Sequence, residues 1–552
     1  MNYRQENIFN LLNEFDEFSK KYGIDYFIAA GTALGAIRHK GFLPWDDDMD
    51  IYLTRDNWNK LRDIIENNED AVPEGRTYVY NENERYYRNN IPRYVNQETT
   101  ALFQSQLLNG KSLGQHLEFL ILDPMPLGEE EEKEYVDLFR VYSELLSPYF
   151  TICRDLTFEE WDHHFKLYEE YFNIATVEGD DKVLKELADK LQNYPTEECE
   201  RYCMRWGDLI YIYPRKYIEN HRLETFENMQ IPVSKYVETM MRIAYGDDWM
   251  YVPDLSNQII HPHFEDYSTD CREYSNRYLK KVNQEEVLKK YRNIKHANVS
   301  YYDKTKKVEM LTAKVNVNSK SKNISNDLDG KEDYFGELLE NKEYDSILSA
   351  FNDYSQLQLR PDVRKYDIFV PISDKNLEIL LISLIERGEY YKVDKYLNIR
   401  KNQDRDLSEG LNEVDKLKSI CREFSIARYD KKDKELVQSL IDKYDSEYPD
   451  LLDIYRAKIW IRESDAKSED DYKDIDEFCN DVLEVYPFDG EIMAVQAKAK
   501  LECGQKDEAM ELYNKAVFNT RNGLIWQKVQ DEVGINRTEI EYSLIEELEN
   551  EN

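Results

Sequence analysis

Between Gln5 and Lys21 the apolar residues Ile8, Leu11, Leu12, Phe15 and Phe18 fall three and four positions apart, which predicts an amphipathic helix ended by Gly23. The pattern then changes. Residues 25–30 form a compact apolar run that predicts a short buried strand, and the small residues 33–37 suit a helix stopped at Gly41. After Pro44 and Trp45, residues 46–53 read as a strand whose acidic side chains occupy places where apolar ones are expected. Violations of local pattern concentrate at functional sites. Residues 116–123 form a second buried strand with one acidic residue, Glu118, inside it, followed by Pro124. Residues 129–205 look helical and charged, and the segment from Tyr211 to Pro262 is mixed, with turn signals at Pro214, Pro232, Gly246 and Pro253.

Residues 311–331 are rich in Asn, Ser and Lys and read as a linker. Beyond them an apolar helix, a tight turn and a second amphipathic helix recur at 337–348, 383–397 and 500–513, with fainter turns near Asp430 and Ser468. Such a period means a helical solenoid. In the last copy Ala497, Gly504, Ala509, Tyr513 and Ala516 occupy the small and aromatic positions where paired helices cross. That resembles the tetratricopeptide repeat, an α-helical array of another kind being the alternative. The array is expected to bind a protein, to position a glycan acceptor, or to act as a stabilising appendage.

Length and charge narrow the function classes. The chain has 552 residues, with 73 Lys+Arg against 111 Asp+Glu and a net charge of −38. Three or four domains' worth of chain excludes a single compact domain. The negative field disfavours nucleic acid and anionic membranes as partners, and 43 Tyr, 21 Phe and 7 Trp exclude a solvated disordered chain. The N-terminus has no basic stretch followed by an apolar one, and no window is apolar enough to span a bilayer, so a cytoplasmic protein is expected. Seven scattered cysteines agree with a reducing compartment. Cys199 and Cys203, with His163 and His164 upstream, allow a zinc site or ordinary buried and surface thiols.

The chemistry gathers within twenty residues. On the predicted strand Asp48 and Asp50 share a face, with Asp46 nearby, and carboxylates that close need protons or a cation to offset their repulsion. Mg2+ or Mn2+ is the natural partner, being a hard ion that takes oxygen ligands and leaves positions for substrate phosphates. Glu118 is the candidate for a further carboxylate from an adjacent strand. Gly31 and Thr32, between strand and helix, offer backbone N–H groups and a hydroxyl to an anion, and Arg38, His39 and Lys40 bring positive charge to the far end of that helix. Each element has an ordinary structural explanation; the combination describes a phosphoryl-transfer site.

The run from Ala29 to Ile51, AAGTALGAIRHKGFLPWDDDMDI, resembles the signature of the LicD family, which includes the fukutin-like proteins and lies in the nucleotidyltransferase superfamily. Glu118 to Pro124 and Tyr245 to Pro253 are similar to two further family blocks, so the resemblance covers about residues 1–270. It implies an α+β nucleotidyltransferase-like domain, a mixed sheet flanked by helices, over 1–270. A helical extension and polar linker at 271–331 and an all-α, tetratricopeptide-like repeat domain at 332–552 complete the expected organisation. It also implies metal-dependent transfer of a phospho-alcohol, such as phosphocholine, from a CDP-activated donor to a glycan or lipid-linked oligosaccharide. Asp46, Asp48 and Asp50 then become metal ligands; Asp48, Asp50 and Glu118 become catalytic carboxylates, with Glu118 standing where the family more often has Asp. Gly31, Thr32, Arg38, His39, Lys40, Trp45, Arg93 and Thr100 become substrate contacts. His261 and His263 are either aids to proton transfer or surface-loop residues. The alternatives are an NTP-dependent nucleotidyltransferase and a non-catalytic interaction protein built on the repeats.

Overall fold

The computed structural model describes residues 1–552 except 85, 103–112, 147–156, 207–208, 246–248, 251, 253–263, 298, 360–368, 403–405, 521 and 536–552. Two compact units divide the chain. Among the described residues, one comprises those within Met1–Gly246 and Pro253–Met310, and the other those within Asp247–Val252 and Leu311–Ile540.

The first unit opens with the expected helix, α1 (Tyr3–Tyr22). Asn2 and Gln5 close a capping box at its start, and Gly23 at φ 64° ends it. Its apolar face buries Phe15 against Phe119, ring centroids 5.0 Å apart. There follow β1 (Phe27–Ile28), α2 (Ala30–Arg38), β2 (Asp50–Thr54), α3 (Arg55–Asn67), β3 (Arg76–Val79), β4 (Arg93–Asn96), β5 (Thr100–Leu102) and β6 (His116–Pro124). Three helices come next, α4 (Glu129–Leu146), α5 (Phe158–Glu178) and α6 (Asp180–Gln192). They precede β7 (Arg201–Trp206), β8 (Leu209–Pro214), the hairpin β9 (His221–Phe226) with β10 (Met229–Ser234), α7 (Val237–Tyr245) and β11 (Phe264–Asp266).

The main sheet has the order β1-β2-β6-β4-β3, with β7 pairing the far end of β6 and β8 pairing β7. Only β2 and β6 run parallel among these pairs. All nine residues of β6 are buried, as its continuous apolar sequence requires of a central strand. The two acids within it are matched by cations. Asp123 is fully buried beside Arg55 at 2.6 Å and Arg205 at 3.2 Å.

Three expectations change. The strand expected over 46–53 begins only at Asp50, because the preceding residues are held in a loop by side-chain hydrogen bonds from α1 instead of by strand pairing. The helical region expected over 129–205 ends in β7, where Tyr202, Cys203 and Met204 register with the end of β6. The polar run at 311–331, expected as a linker, is mostly helical: α8 (Val299–Leu328) continues through it. Ser321, Ile324 and Leu328 recur on one buried face with Val317 packed beside them, a thin stripe that composition alone conceals.

The second unit is an array of helix pairs. Glu332–Glu340 pairs with Tyr344–Ala350, Asp374–Glu386 with Tyr390–Lys401, Glu409–Ser425 with Lys434–Tyr444, Leu452–Asp465 with Glu469–Val485, and Gly490–Glu502 with Lys506–Asn519. Four of the five connections within these pairs carry a residue in the left-handed region, at Lys342, Gly388, Lys432 and Gly504; the third of them contains a π-helical turn, Ile426–Lys431. No described helix of the chain is long and apolar enough to cross a membrane.

Candidate active site

The site is built around the parallel pair β2 and β6. Asp50, the first residue of β2, is the register partner of Glu118, and Glu118 is the register partner of Arg93 on β4. Lateral register neighbours point to the same side of a sheet. A carboxylate, a carboxylate and a guanidinium therefore stand in a row across three strands, and all three are buried. Arg93 donates from Nε to Glu118 Oε1 at 2.9 Å and from Nη2 at 2.5 Å, and His116 Nε2 lies 3.5 Å from the same oxygen.

The two buried acids have opposite proton affinities. Burial pushes Glu118 up, but Arg93 and His116 together outweigh it and hold the carboxyl at about 2. Among the described residues Asp50 has no such cation bonded to it. Burial, then the charges of Asp48, Glu118 and Asp46, raise it well above the usual carboxylate range against the pull of Arg93. Burial and Arg93 lower His116, with Glu118 opposing.

Asp46, Asp47 and Asp48 lie on the loop just before β2, and one carboxylate oxygen from each falls within 4.8 Å of the others. Asp46 and Asp48 are half-buried and Asp47 is buried. Among the described residues this is the one group of three or more His, Cys, Asp or Glu that converges closely enough to hold a metal ion. Three hard oxygens on one loop, close to a fourth carboxylate that burial and then these same charges push toward its proton, fit a divalent cation such as Mg2+. The sequence-based ligand trio of Asp46, Asp48 and Asp50 differs from this cluster in one member. Asp47 joins the cluster because its segment is a loop, where the alternation of a strand does not turn it away.

Helix α2 approaches the same loop. Thr32 Oγ1 accepts the Asp50 N–H at 2.9 Å and so fixes the start of β2, while the hydroxyl keeps its own proton to donate. Gly31 leaves room for the aspartate: a Cβ there would lie 2.9 Å from Asp46 Oδ2 and push that carboxylate aside. The adjacent Ala30 holds φ 42°, a left-handed backbone that an L-residue adopts at a cost. The amides of Ala30, Gly31 and Thr32 belong to the first turn, whose N–H groups have no carbonyl one turn back to bond. Tyr245, in the third sequence block, is 43% exposed yet close enough to feel these acids. Desolvation of its hydroxyl first, then Asp50, Asp46, Tyr211 and Asp48, raise its phenol above the ordinary value.

Arg38 and His39 are buried against Trp45, with the Arg38 guanidinium 5.9 Å from the indole centre and the His39 ring edge-on to it at 6.0 Å. Lys40 is turned to the β9–β10 hairpin, its ammonium 3.7 Å from Glu224 and its carbonyl accepting from Glu227 N. Thr100 donates to the Thr269 carbonyl at 2.8 Å in the separate β5–β11 pair. His163 contacts Asp137 at 2.9 Å, and Cys199 and Cys203 are free and buried, not gathered with it. His261, His263 and most of the third block after Tyr245 lie outside the described residues.

Residues 23–112 match the family model described as "LicD/FKTN/FKRP, nucleotidyltransferase domain". A lipopolysaccharide cholinephosphotransferase LicD of Haemophilus influenzae is 47% identical over 55 residues, which is 10% of this chain and 21% of that protein. Uncharacterized proteins of Rickettsia prowazekii and Rickettsia typhi are 37% and 39% identical over 59 residues, 11% of this chain and 22% and 19% of theirs. The chain thus covers about a fifth of the length of each relative. No solved structure matches it.

Proposed function

We propose, from the LicD-family nucleotidyltransferase domain carried at residues 23–112, that this protein is a phosphotransferase acting on a glycoconjugate. Its donor is a CDP-activated alcohol of the phosphocholine kind and its acceptor a hydroxyl of a glycan or lipid-linked oligosaccharide. The observation that carries the reading is the convergence of Asp46, Asp47 and Asp48 beside a buried Asp50 at the mouth of α2. The Haemophilus relative's name supports choline as the alcohol.

In mechanism, Asp46, Asp47 and Asp48 would hold a divalent cation, which when bound supplies the positive charge that a diphosphate requires. The first-turn amides of α2 receive donor phosphate oxygens, and Gly31 leaves the room for them. Glu118 stays ionised and anchors Arg93, whose fixed charge faces the same row. Asp50, in its ionised form, would take the proton of the acceptor hydroxyl as that oxygen bonds to the phosphorus carrying the alcohol and the diphosphate bond to CMP breaks, CMP leaving. Positioning and charge complementarity then provide most of the rate.

Calorimetry with CDP-choline and CTP, in Mg2+ and then in chelator, tests this reading. Metal-dependent binding of CDP-choline that disappears in Asp48→Asn is expected. Binding of CTP without any CDP-alcohol would favour nucleotidyl transfer, the chemistry that the family model's description also names. Failure of every CDP-alcohol and of CTP would sink both.

A further inference from the structure

The loop that carries Asp46, Asp47 and Asp48 is held from outside the matched domain. Two consecutive residues in the first turn of α1 reach it. Gln5, fully buried, donates from Nε2 to the carbonyls of Leu43 at 3.1 Å and Asp46 at 3.0 Å. Arg4 places Nη1 3.1 Å from Asp47 Oδ2. The same guanidinium binds Glu265 on β11, from Nε at 2.7 Å and Nη2 at 2.5 Å. Glu265 accepts in turn from Gln115 Nε2 at 2.6 Å and from the Tyr267 hydroxyl. Gln115 immediately precedes β6, the strand of Glu118.

We propose that Arg4 is a positioning residue which, with Gln5 and Glu265, fixes the aspartate loop in the arrangement that accepts its cation. The inference rests on the metal reading of the preceding subsection. Two effects of Arg4 oppose each other. As a positive charge beside Asp47 it repels an arriving cation, so its removal would tighten binding. As a clamp it holds one Asp47 oxygen and ties the loop to β11, so its removal would weaken binding. The clamp prevails because the loop has no strand pairing of its own: its backbone joins the sheet only at Met49, whose carbonyl accepts from Glu118 N at 2.9 Å. Without α1 and β11 the loop would lose these anchors, and the order they supply would have to be made up at the moment of binding.

The sign of the effect is therefore the test. Binding of Mn2+ alone to the full chain is measured from the free-ion electron paramagnetic resonance signal, with hydrogen exchange of the amides at 45–49 followed in metal-free protein. Arg4→Met is expected to weaken Mn2+ binding by about 10- to 100-fold, the range for residues that orient metal ligands, and to speed exchange at 45–49. Arg4→Lys keeps the charge without spanning both carboxylates and should recover only part of the affinity. Arg76→Met, which cuts a two-bond ion pair to Glu14 elsewhere on α1, should leave Mn2+ binding unchanged. Unchanged or tighter binding in Arg4→Met overturns the clamp. Should that variant fail to fold, Glu265→Gln makes the same measurement with a milder change and is expected to weaken binding. If the wild-type chain binds no Mn2+, the metal reading fails, and the exchange rates alone decide whether Arg4 orders the loop.

Discussion

Asp50 and Glu118 are neighbours across two strands, yet one is held far toward the proton and the other far from it. The difference is Arg93, which touches Glu118 and reaches Asp50 only through space. A stability consequence follows for the metal-free protein. The folded state binds the Asp50 proton more tightly than the unfolded state does, so Asp50 makes the fold progressively less stable as pH rises above 3.8, its ordinary value. Asp50→Asn removes that cost. In chelator the variant should melt a few degrees above wild type at pH 7, with the gap closing toward pH 3.8, while transfer activity is lost. Thermal melts across pH check this, and a variant that melts lower at every pH contradicts it. Much of this row could be read from sequence, since acidic residues inside apolar runs singled out Asp50 and Glu118. Asp47 and Arg4 could not. The first needed the knowledge that its segment is a loop, and the second acts on residues 43 and 261 positions away.

At the scale of elements, α2 and the loop after it are shaped by absent side chains. A Cβ on Gly35 would fall 2.4 Å from the Gly41 carbonyl, and one on Gly41 would meet the Glu227 carboxylate at 2.2 Å. The loop therefore folds directly back on the helix, and Glu227 seals it by accepting the Phe42 N–H at 3.0 Å. Gly31 and Gly35 should separate function from stability. Gly35→Ala presses on backbone and is expected to destabilise the fold by about 1–3 kcal/mol, measured by urea unfolding. Gly31→Ala presses on a movable carboxylate, so its unfolding midpoint should stay near wild type while Mn2+ binding weakens. Equal destabilisation by both would show that Asp46 cannot yield. The glycine spacing was plain in the sequence, but the neighbour each glycine serves was not. The helical register of α8 was likewise hidden, because its buried stripe includes Ser321 among polar residues.

For the whole molecule, the matched segment and the folded unit are different lengths of chain. Residues 23–112 contain the aspartate loop and Arg93 but neither Glu118 nor the residues that hold the loop, Arg4, Gln5 and Glu265. A fragment of residues 1–310 should bind Mn2+ as the full chain does, whereas 23–112 should not. Mn2+ titration of the two fragments decides, and equal binding by the shorter one would show that the loop orders itself. That mixed strands and helices give way to helices alone was legible in the change from mixed to repeating pattern. The helix α8 was not, because its sequence from 311 onward is written largely in Asn, Ser and Lys.

The buried ion pairs at the two ends of β6 also act as a lock on alignment. Glu118 and Asp123 are five residues apart, an odd number, so they project from opposite faces of the strand. Each is answered by arginines from different elements: Arg93 on β4 for one, Arg55 at the start of α3 and Arg205 on β7 for the other. Sliding β6 by a single residue would exchange the faces of both acids at once and strand two buried anions and three buried cations. The alignment of Glu118 with Asp50 is thus guaranteed partly by charges on the reverse of the sheet, which take no part in the chemistry.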